Sequence, residues 1–269
     1  MALARLESRQ RAIDSLLAVV SFRELLRNLI LKELKLRYRR SVLGFLWTML
    51  NPLLMMVVIT VAFSTIMKFS MAHFSIFLLT ALLPWIMFMQ ATTGALRSIV
   101  DNAHLIHKVY VPKAIFPLAV VGSSLVNFFL SLIPLFVLMV ALGVPIRPAV
   151  LVLPLAIVIL TIFATGTALI FSCLNVFYRD FTHMTEVLLN ALFYATPIIY
   201  PLHVLPSSYH PYFKLNPMYH VLQCFREPLY EGVVPSALTF GIAGLTAVSL
   251  FVVGWVFFQR YEHDFVFYV

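Results

Sequence analysis

Charge is what this sequence has least of. Only 11% of its 269 residues are Asp, Glu, Lys or Arg, against 62% hydrophobic, and the mean hydropathy is +0.96. Soluble domains carry roughly a quarter charged residues, so an ordinary soluble fold is excluded. Cysteine is scarce as well. Cys173 lies in an apolar stretch and Cys224 beyond the next one, which implies no disulfide framework. The histidines are scattered through loops and the ends of apolar runs, with no H-E-x-x-H or comparable pairing. His104 and His107 stand at i, i+3 and lack a third ligand, so no metal site is expected. No G-x-x-x-x-G-K-S/T phosphate loop occurs, and the chain is not expected to hydrolyse a nucleotide itself.

What is abundant is apolar sequence in blocks of about 20 residues, the length that crosses a bilayer as a helix. Six blocks are expected to span: 42–67, 74–96, 114–142, 149–171, 181–202 and 236–258. The fifth is the weakest, since His183, Thr185 and Glu186 occupy its first turns. The cores of the six hold no Asp, Glu, Lys, Arg or His. Ion-coupled transporters need an intramembrane ionisable group, and membrane enzymes need clustered carboxylates or histidines. Neither is present. The reading is an all-α polytopic membrane protein of one domain, 1–269. A cytoplasmic and interfacial segment (1–41) leads into a six-span bundle (42–260) and a cytoplasmic tail (261–269). Residues 1–41 are charged and contain no apolar core with a cleavage site, so a signal peptide is not expected.

The net charge of +8 is unevenly spread. With six spans, fifteen basic residues fall on the side of the termini and four (Lys68, Arg147, Lys214, Arg226) on the other. The positive-inside rule then places both termini in the cytoplasm, and the basic excess needs no nucleic acid to explain it. Before the first span, Ser21 and Glu24 form a capping box. Phe22, Leu25, Leu26, Leu29, Ile30 and Leu34 follow at helical spacing, with Arg23, Arg27, Lys32 and Lys35 off that face. Such a basic amphipathic helix is expected to lie at the membrane interface. Asn51-Pro52 should kink the first span. The loop 97–113 mixes Leu105 and Ile106 with His104, His107 and Lys108, as a partner-docking helix would. In the long loop 202–235, Asn216-Pro217 reads as an N-cap and first helical position. Met218, Val221, Leu222, Phe225 and Leu229 then form one helical stripe, suited to the outer leaflet or to packing on the bundle. Ser123, Ser124, Asn127 and Ser131 share a face of the third span; Thr161, Thr165, Ser172 and Asn175 run along the fourth. These groups either line a path for a hydroxyl-rich substrate or act as glue between helices.

Four ordered stretches resemble the polysaccharide-export permeases of the type-2 ABC exporters, the membrane subunits for O-antigen, teichoic acid and capsule export. They are "LKLRYRRSVLGFLWTMLNPLL" (34–54), "NAHLIHKVYVPKAIFPLAVV" (102–121), "NVFYRDFTHMTEVLLNALFYATPIIYP" (175–201) and "LNPMYHVLQCFREPLY" (215–230). The resemblance implies a homodimer of six-span subunits in a bacterial inner membrane, above two copies of a separate ABC ATPase. ATP and Mg belong to that partner, and no cofactor to this chain. It implies that Asp101, Asn102, His104, Leu105, Ile106, His107 and Lys108 form the ATPase-coupling loop. Arg37, Tyr38, Arg39 and Arg40 then stand at the gate where a lipid-linked polysaccharide comes in, and Asn216, Pro217 and Arg226 belong to two short re-entrant helices between spans five and six.

Within that frame, Arg37, Arg39 and Arg40 either hold the lipid pyrophosphate through charge-assisted hydrogen bonds or only attract anionic membrane lipids and fix topology. Phe45, Trp47, Phe193, Tyr194 and Tyr200 are candidates for stacking on sugar faces, though aromatic residues at membrane interfaces are expected anyway. Export of another glycolipid, small lipid or drug is the nearest alternative function, and an ion-driven lipid flippase a more distant one.

Overall fold

The computed structural model describes residues 19, 21–37, 41–44, 46–65, 73–108 and 111–268, with 63–65 as backbone alone. Eleven α-helices are assigned among the described residues: α1 (Arg23–Arg37), α2 (Leu46–Thr65), α3 (Phe74–Ser98), α4 (Ala103–Ile106), α5 (Ile115–Ala141), α6 (Leu153–Phe177), α7 (Phe181–Tyr194), α8 (His210–Leu215), α9 (Pro217–Arg226), α10 (Ala237–Tyr261) and α11 (Phe265–Tyr268). No strand occurs among them. Among the described residues, four helical stretches are long and apolar enough to cross a membrane: α3, α5, Pro148–Phe177 (α6 with the 3-10 turn before it) and α10. The apolar part of α2, Leu46–Ala62, is shorter.

Helix α3 is the axis of the bundle. Nearly all of its side chains from Phe74 to Leu96 are buried, including Trp85, Met87 and Phe88. A helix apolar all round belongs inside, and α2, α5, α6, α7 and α9 all pack on it. Helices α6 and α10 make the closest pairing. A Cβ on Gly254 would overlap the backbone of Gly166, and one on Gly166 would meet the backbone of Leu250 and Phe251. Without a hydrophobic drive between lipid-soluble helices, such close backbone approach at small residues supplies the packing energy.

The fifth apolar block differs from expectation. Its helix stops at Tyr194 instead of reaching Leu202. Pro197 is the physical reason: its ring would clash with the carbonyl of Phe193, and it disfavours helical geometry at Thr196. Helix α7 is therefore 14 residues, about 21 Å at 1.5 Å per residue. The fourth block runs further than expected, to Phe177. The expected kink in the first block leaves no break: α2 is continuous through Pro52. Pro52 has no N–H to donate to the carbonyl of Thr48; the Ser131 hydroxyl of α5 shares its one hydrogen between its own helix, at Asn127 O (2.9 Å), and that carbonyl (3.2 Å).

Candidate functional site

Helix α1 carries its apolar face as the spacing indicates, but protein covers that face. Leu29 is buried against Ile115, Phe116 and Ala119 at the start of α5, with Phe22, Leu25, Leu26 and Ile30 around them. Gly122 makes room, because a Cβ there would press on Ile30. Arg23, Arg27 and Lys35 stay exposed. Lys32 does not join them. Its ammonium donates to Asn102 Oδ1 at 2.9 Å, and Asn102 Nδ2 donates to the carbonyl of Ser98 at 2.8 Å. The buried Asn102 side chain thus ties α1 to the end of α3 and to the segment that follows.

That segment is a 3-10 turn, Val100–Asn102, continuing into α4 and ending at Lys108. Leu105 and Ile106 are only half exposed and pack against the α1–α5 cluster. Their buried part seats the segment on its own chain. The groups that face outward are Asp101, His104, His107 and Lys108. The tail closes the same end of the bundle. Phe265 of α11 is fully buried with Ile99, Phe258 and Trp255. Lys113 donates to the carbonyl of Glu262 and lies over the Phe265 ring at 5.8 Å. Burial lowers the Lys113 ammonium from its ordinary value, against the opposing pull of Glu262 and Asp264. Burial raises the Glu262 carboxyl, against His263 and Lys113.

A cavity of about 220 Å³ with a mixed lining, apolar at Leu83, Ile86, Met87 and Phe128, opens between α2, α3 and α5 near the C-terminal end of α1. Arg37, Ser41 and Trp47 line it beside Thr48, Asn51 and Gln90, and Ser124, Asn127 and Ser131 complete its far wall. Arg37 Nη1 donates to Gln90 Oε1 at 2.8 Å. Three of the four polar residues foreseen on the third span therefore face this space; the fourth, Ser123, bonds the carbonyl of Val120 instead. The fourth span behaves otherwise. Thr161, Thr165 and Ser172 donate to carbonyls of their own helix. Asn175 donates to Leu96 O at 2.9 Å and accepts from Thr182 at 2.7 Å, binding α3, α6 and α7 together. That face is glue.

At the opposite end, the loop after α7 is strapped to α9. Asn216 Oδ1 accepts from the backbone of Met218 at 3.0 Å, an N-cap with Pro217 at the first helical position, and its Nδ2 donates to Thr196 Oγ1 at 2.9 Å. The stripe of Met218, Val221, Leu222, Phe225 and Leu229 is wholly buried in the main core, so it packs on the bundle. Arg226, only 4% exposed, donates to Pro197 O at 2.7 Å and Ile198 O at 3.0 Å. Its guanidinium lies 4.0 Å from the centre of the Phe77 ring. Two carbonyls of the non-helical chain after α7 are thereby satisfied, as buried backbone requires.

Of the four described aromatic candidates, Phe193, Tyr194 and Tyr200 lie together, with the Phe193 and Tyr194 rings edge to face at 5.3 Å, and Trp47 stands apart from them. Trp47 lines the cavity, while Phe193 packs on Trp85 with ring centres 5.6 Å apart. Tyr194 is exposed at the end of α7, where its carbonyl accepts from the Tyr200 hydroxyl at 2.6 Å. Tyr38, Arg39, Arg40 and Phe45 lie outside the described residues. Sequence reasoning missed Gln90, Lys32 and Thr196. Gln90 had a legible signal, as the one side-chain amide in α3. Lys32 did not, since a lysine facing a helix-end asparagine from seventy residues away leaves no local pattern.

Comparison with known proteins accords with this architecture. The family described as "ABC-2 type transporter" matches residues 24–230. The O-antigen export system permease protein RfbA of Myxococcus xanthus is 36% identical over 244 residues, covering 90% of this chain and 94% of that protein. RfbA of Klebsiella pneumoniae is 30% identical over 235 residues, 87% of this chain and 90% of that one. The polysialic acid transport protein KpsM of Escherichia coli is 26% identical over 232 residues, 83% and 88% of the two chains. With the match extending from α1 to the turn after α9, this chain belongs to the ABC-2 type transporter family.

Proposed function

We propose that this chain is the permease subunit of an ATP-driven exporter that moves a lipid-linked polysaccharide of the O-antigen type across a bacterial inner membrane. The observation that carries the reading is the end-to-end similarity to two O-antigen export permeases. Two copies of the chain work with two copies of a separate ATPase, which binds ATP and Mg. The basic end, with α1, α4 and the tail, faces the cytoplasm, in keeping with the positive-inside rule. Six crossings result when α2 and the block 181–202 each count as one. The second of these is completed by non-helical chain, which membranes tolerate where protein buries it. Arg226 and Asn216 supply that burial and the missing hydrogen bonds. The exposed apolar residues of α2 (Leu54, Val57, Val58, Val61) and α7 (Met184, Val187, Leu188) suit lipid or a second copy.

In this mechanism, closure of the ATPase pair favours one permease conformation by differential binding. The outward residues Asp101, His104, His107 and Lys108 receive the push, and Leu105, Ile106 and Asn102 hand it to α1 and α5. Arg37 stands at the far end of α1, on the wall of the cavity. The test is Asp101→Lys with Lys108→Glu. ATPase binding and ATP-driven export are expected to fall while the purified permease keeps its thermal stability. Full export by that variant would remove the segment from the mechanism.

A further inference from the structure

We propose that the cavity between α2, α3 and α5 seats the phosphate and first sugar of the lipid-linked cargo, one site within each subunit. The proposal rests on the export reading above and gives it a place. Polar groups from four helices, α1, α2, α3 and α5, converge on one space whose wall also carries Leu83, Ile86, Met87 and Phe128. Arg37 contributes a guanidinium with five donors in a fixed fork. One is spent on Gln90 Oε1, which fixes the fork's position, and the exposed remainder faces whatever enters. Phosphate oxygens match that fork in shape and charge.

Deeper in, Ser124 is fully buried, and its hydroxyl finds no hydrogen-bond partner in the protein. Burying a hydroxyl unpaired is unfavourable, and this one lines the cavity. A sugar hydroxyl, both donor and acceptor, completes it. Asn51 and Gln90 add amides, which bond vicinal hydroxyls without demanding one stereochemistry. Pro52 and Ser131 keep the wall in register, because the serine shares its hydrogen with the Thr48 carbonyl that the proline cannot serve.

The cavity also has a track for the lipid. Asn51 lies on the exposed side of α2, and Leu54, Met55 and Val58 follow it at i+3, i+4 and i+7 on the same face. An isoprenoid chain lying along that face would carry its phosphate to the cavity mouth. A phospholipid such as phosphatidylglycerol also offers phosphate and hydroxyls, so the two sources must be separated by experiment.

The experiment uses Asn51→Cys in the full chain, with Cys173 and Cys224 changed to alanine, assembled with its ATPase in nanodiscs. Leu54→Cys, outside the cavity, reports simple lipid coverage. The rate of modification by a charged methanethiosulfonate is read with three probes: polyprenyl pyrophosphate carrying one N-acetylhexosamine, the same lipid without sugar, and phosphatidylglycerol. The sugar-bearing probe should slow modification of the Asn51→Cys variant about tenfold at ten times its dissociation constant, and that of the Leu54→Cys variant much less. Adding Ser124→Ala should weaken protection by the sugar-bearing probe and leave protection by the bare one unchanged. Equal protection by phosphatidylglycerol, or none from any probe, overturns the site. ATP-driven export of the sugar-bearing lipid by the unmodified chain is measured in parallel. Export without protection overturns the site alone; absence of both takes the export reading with it.

Discussion

Lys32 and Asn102, seventy residues apart in sequence, are joined by a 2.9 Å hydrogen bond from the ammonium to the side-chain carbonyl. That bond connects the helix before the first span to the segment before the third. Both ends are held: Lys32 by the packing of α1 on α5, Asn102 by its own bond to Ser98. A push on α4 therefore reaches α1, and through α1 reaches Arg37.

Breaking that joint should uncouple the motor from the cargo. Lys32→Met keeps the stem and removes the donor. Export per ATP hydrolysed should fall about tenfold, the factor that corresponds to roughly 1.4 kcal/mol of lost coupling, while ATP hydrolysis continues. Export and phosphate release measured together in proteoliposomes decide it. An unchanged ratio would show that the bond transmits nothing.

Ser131 and Pro52 form a second testable pair. Ser131→Ala removes the hydroxyl shared between the Asn127 and Thr48 carbonyls, at a cost of about 0.5–2 kcal/mol. Pro52→Ala restores a backbone N–H able to serve that carbonyl. The serine substitution should then cost less in the Pro52→Ala background, and a double-mutant cycle of thermal stability reads the difference. Additive losses would mean that the serine does not compensate for the proline.

Arg226 is a clamp more than a charge. Arg226→Met removes two donors to the Pro197 and Ile198 carbonyls and the contact with Phe77. The expected loss is about 2–4 kcal/mol, seen as a lower melting temperature. Faster hydrogen exchange should be confined to the segment around 195–200 and α9. Arg226→Lys should recover little, since an ammonium has three donors but no planar guanidinium to lie over the Phe77 ring while reaching both carbonyls.

The tail gives a pH dependence with a definite sign. Burial raises the Glu262 carboxyl above its ordinary value of 4.5. The docked tail therefore binds the proton more tightly than the free one. Its docking should be strongest below 4.5 and should weaken as pH rises through the raised value. Glu262→Gln removes that weakening. Hydrogen exchange over α11 between pH 4 and 8 measures the effect, and a flat profile in the unaltered chain would contradict it.

Much of the fold was legible because the bilayer simplifies the code: long apolar blocks become helices, and proline and asparagine punctuate them. Asn216-Pro217 announced a cap that the backbone of Met218 occupies. The helix end at Tyr194 was also written, in Pro197, but the apolar run beyond it read as continuing span. Local sequence shows that Leu105 and Ile106 are apolar, never how much of each its own chain covers, and here both are partly buried against the cluster of α1 and α5. The cavity was half visible. Serine spacing placed Ser124, Asn127 and Ser131 on one face, while the convergence of Arg37 and Gln90 on that face depends on how three helices cross.

The most direct measurement reconstitutes the purified chain in sealed vesicles, with and without its ATPase, and follows the lipid-linked polysaccharide across the bilayer. Uphill movement should require both the ATPase and hydrolysable ATP, and no ion gradient should replace them. Sustained uphill movement by this chain alone, under any ion gradient, would contradict the account.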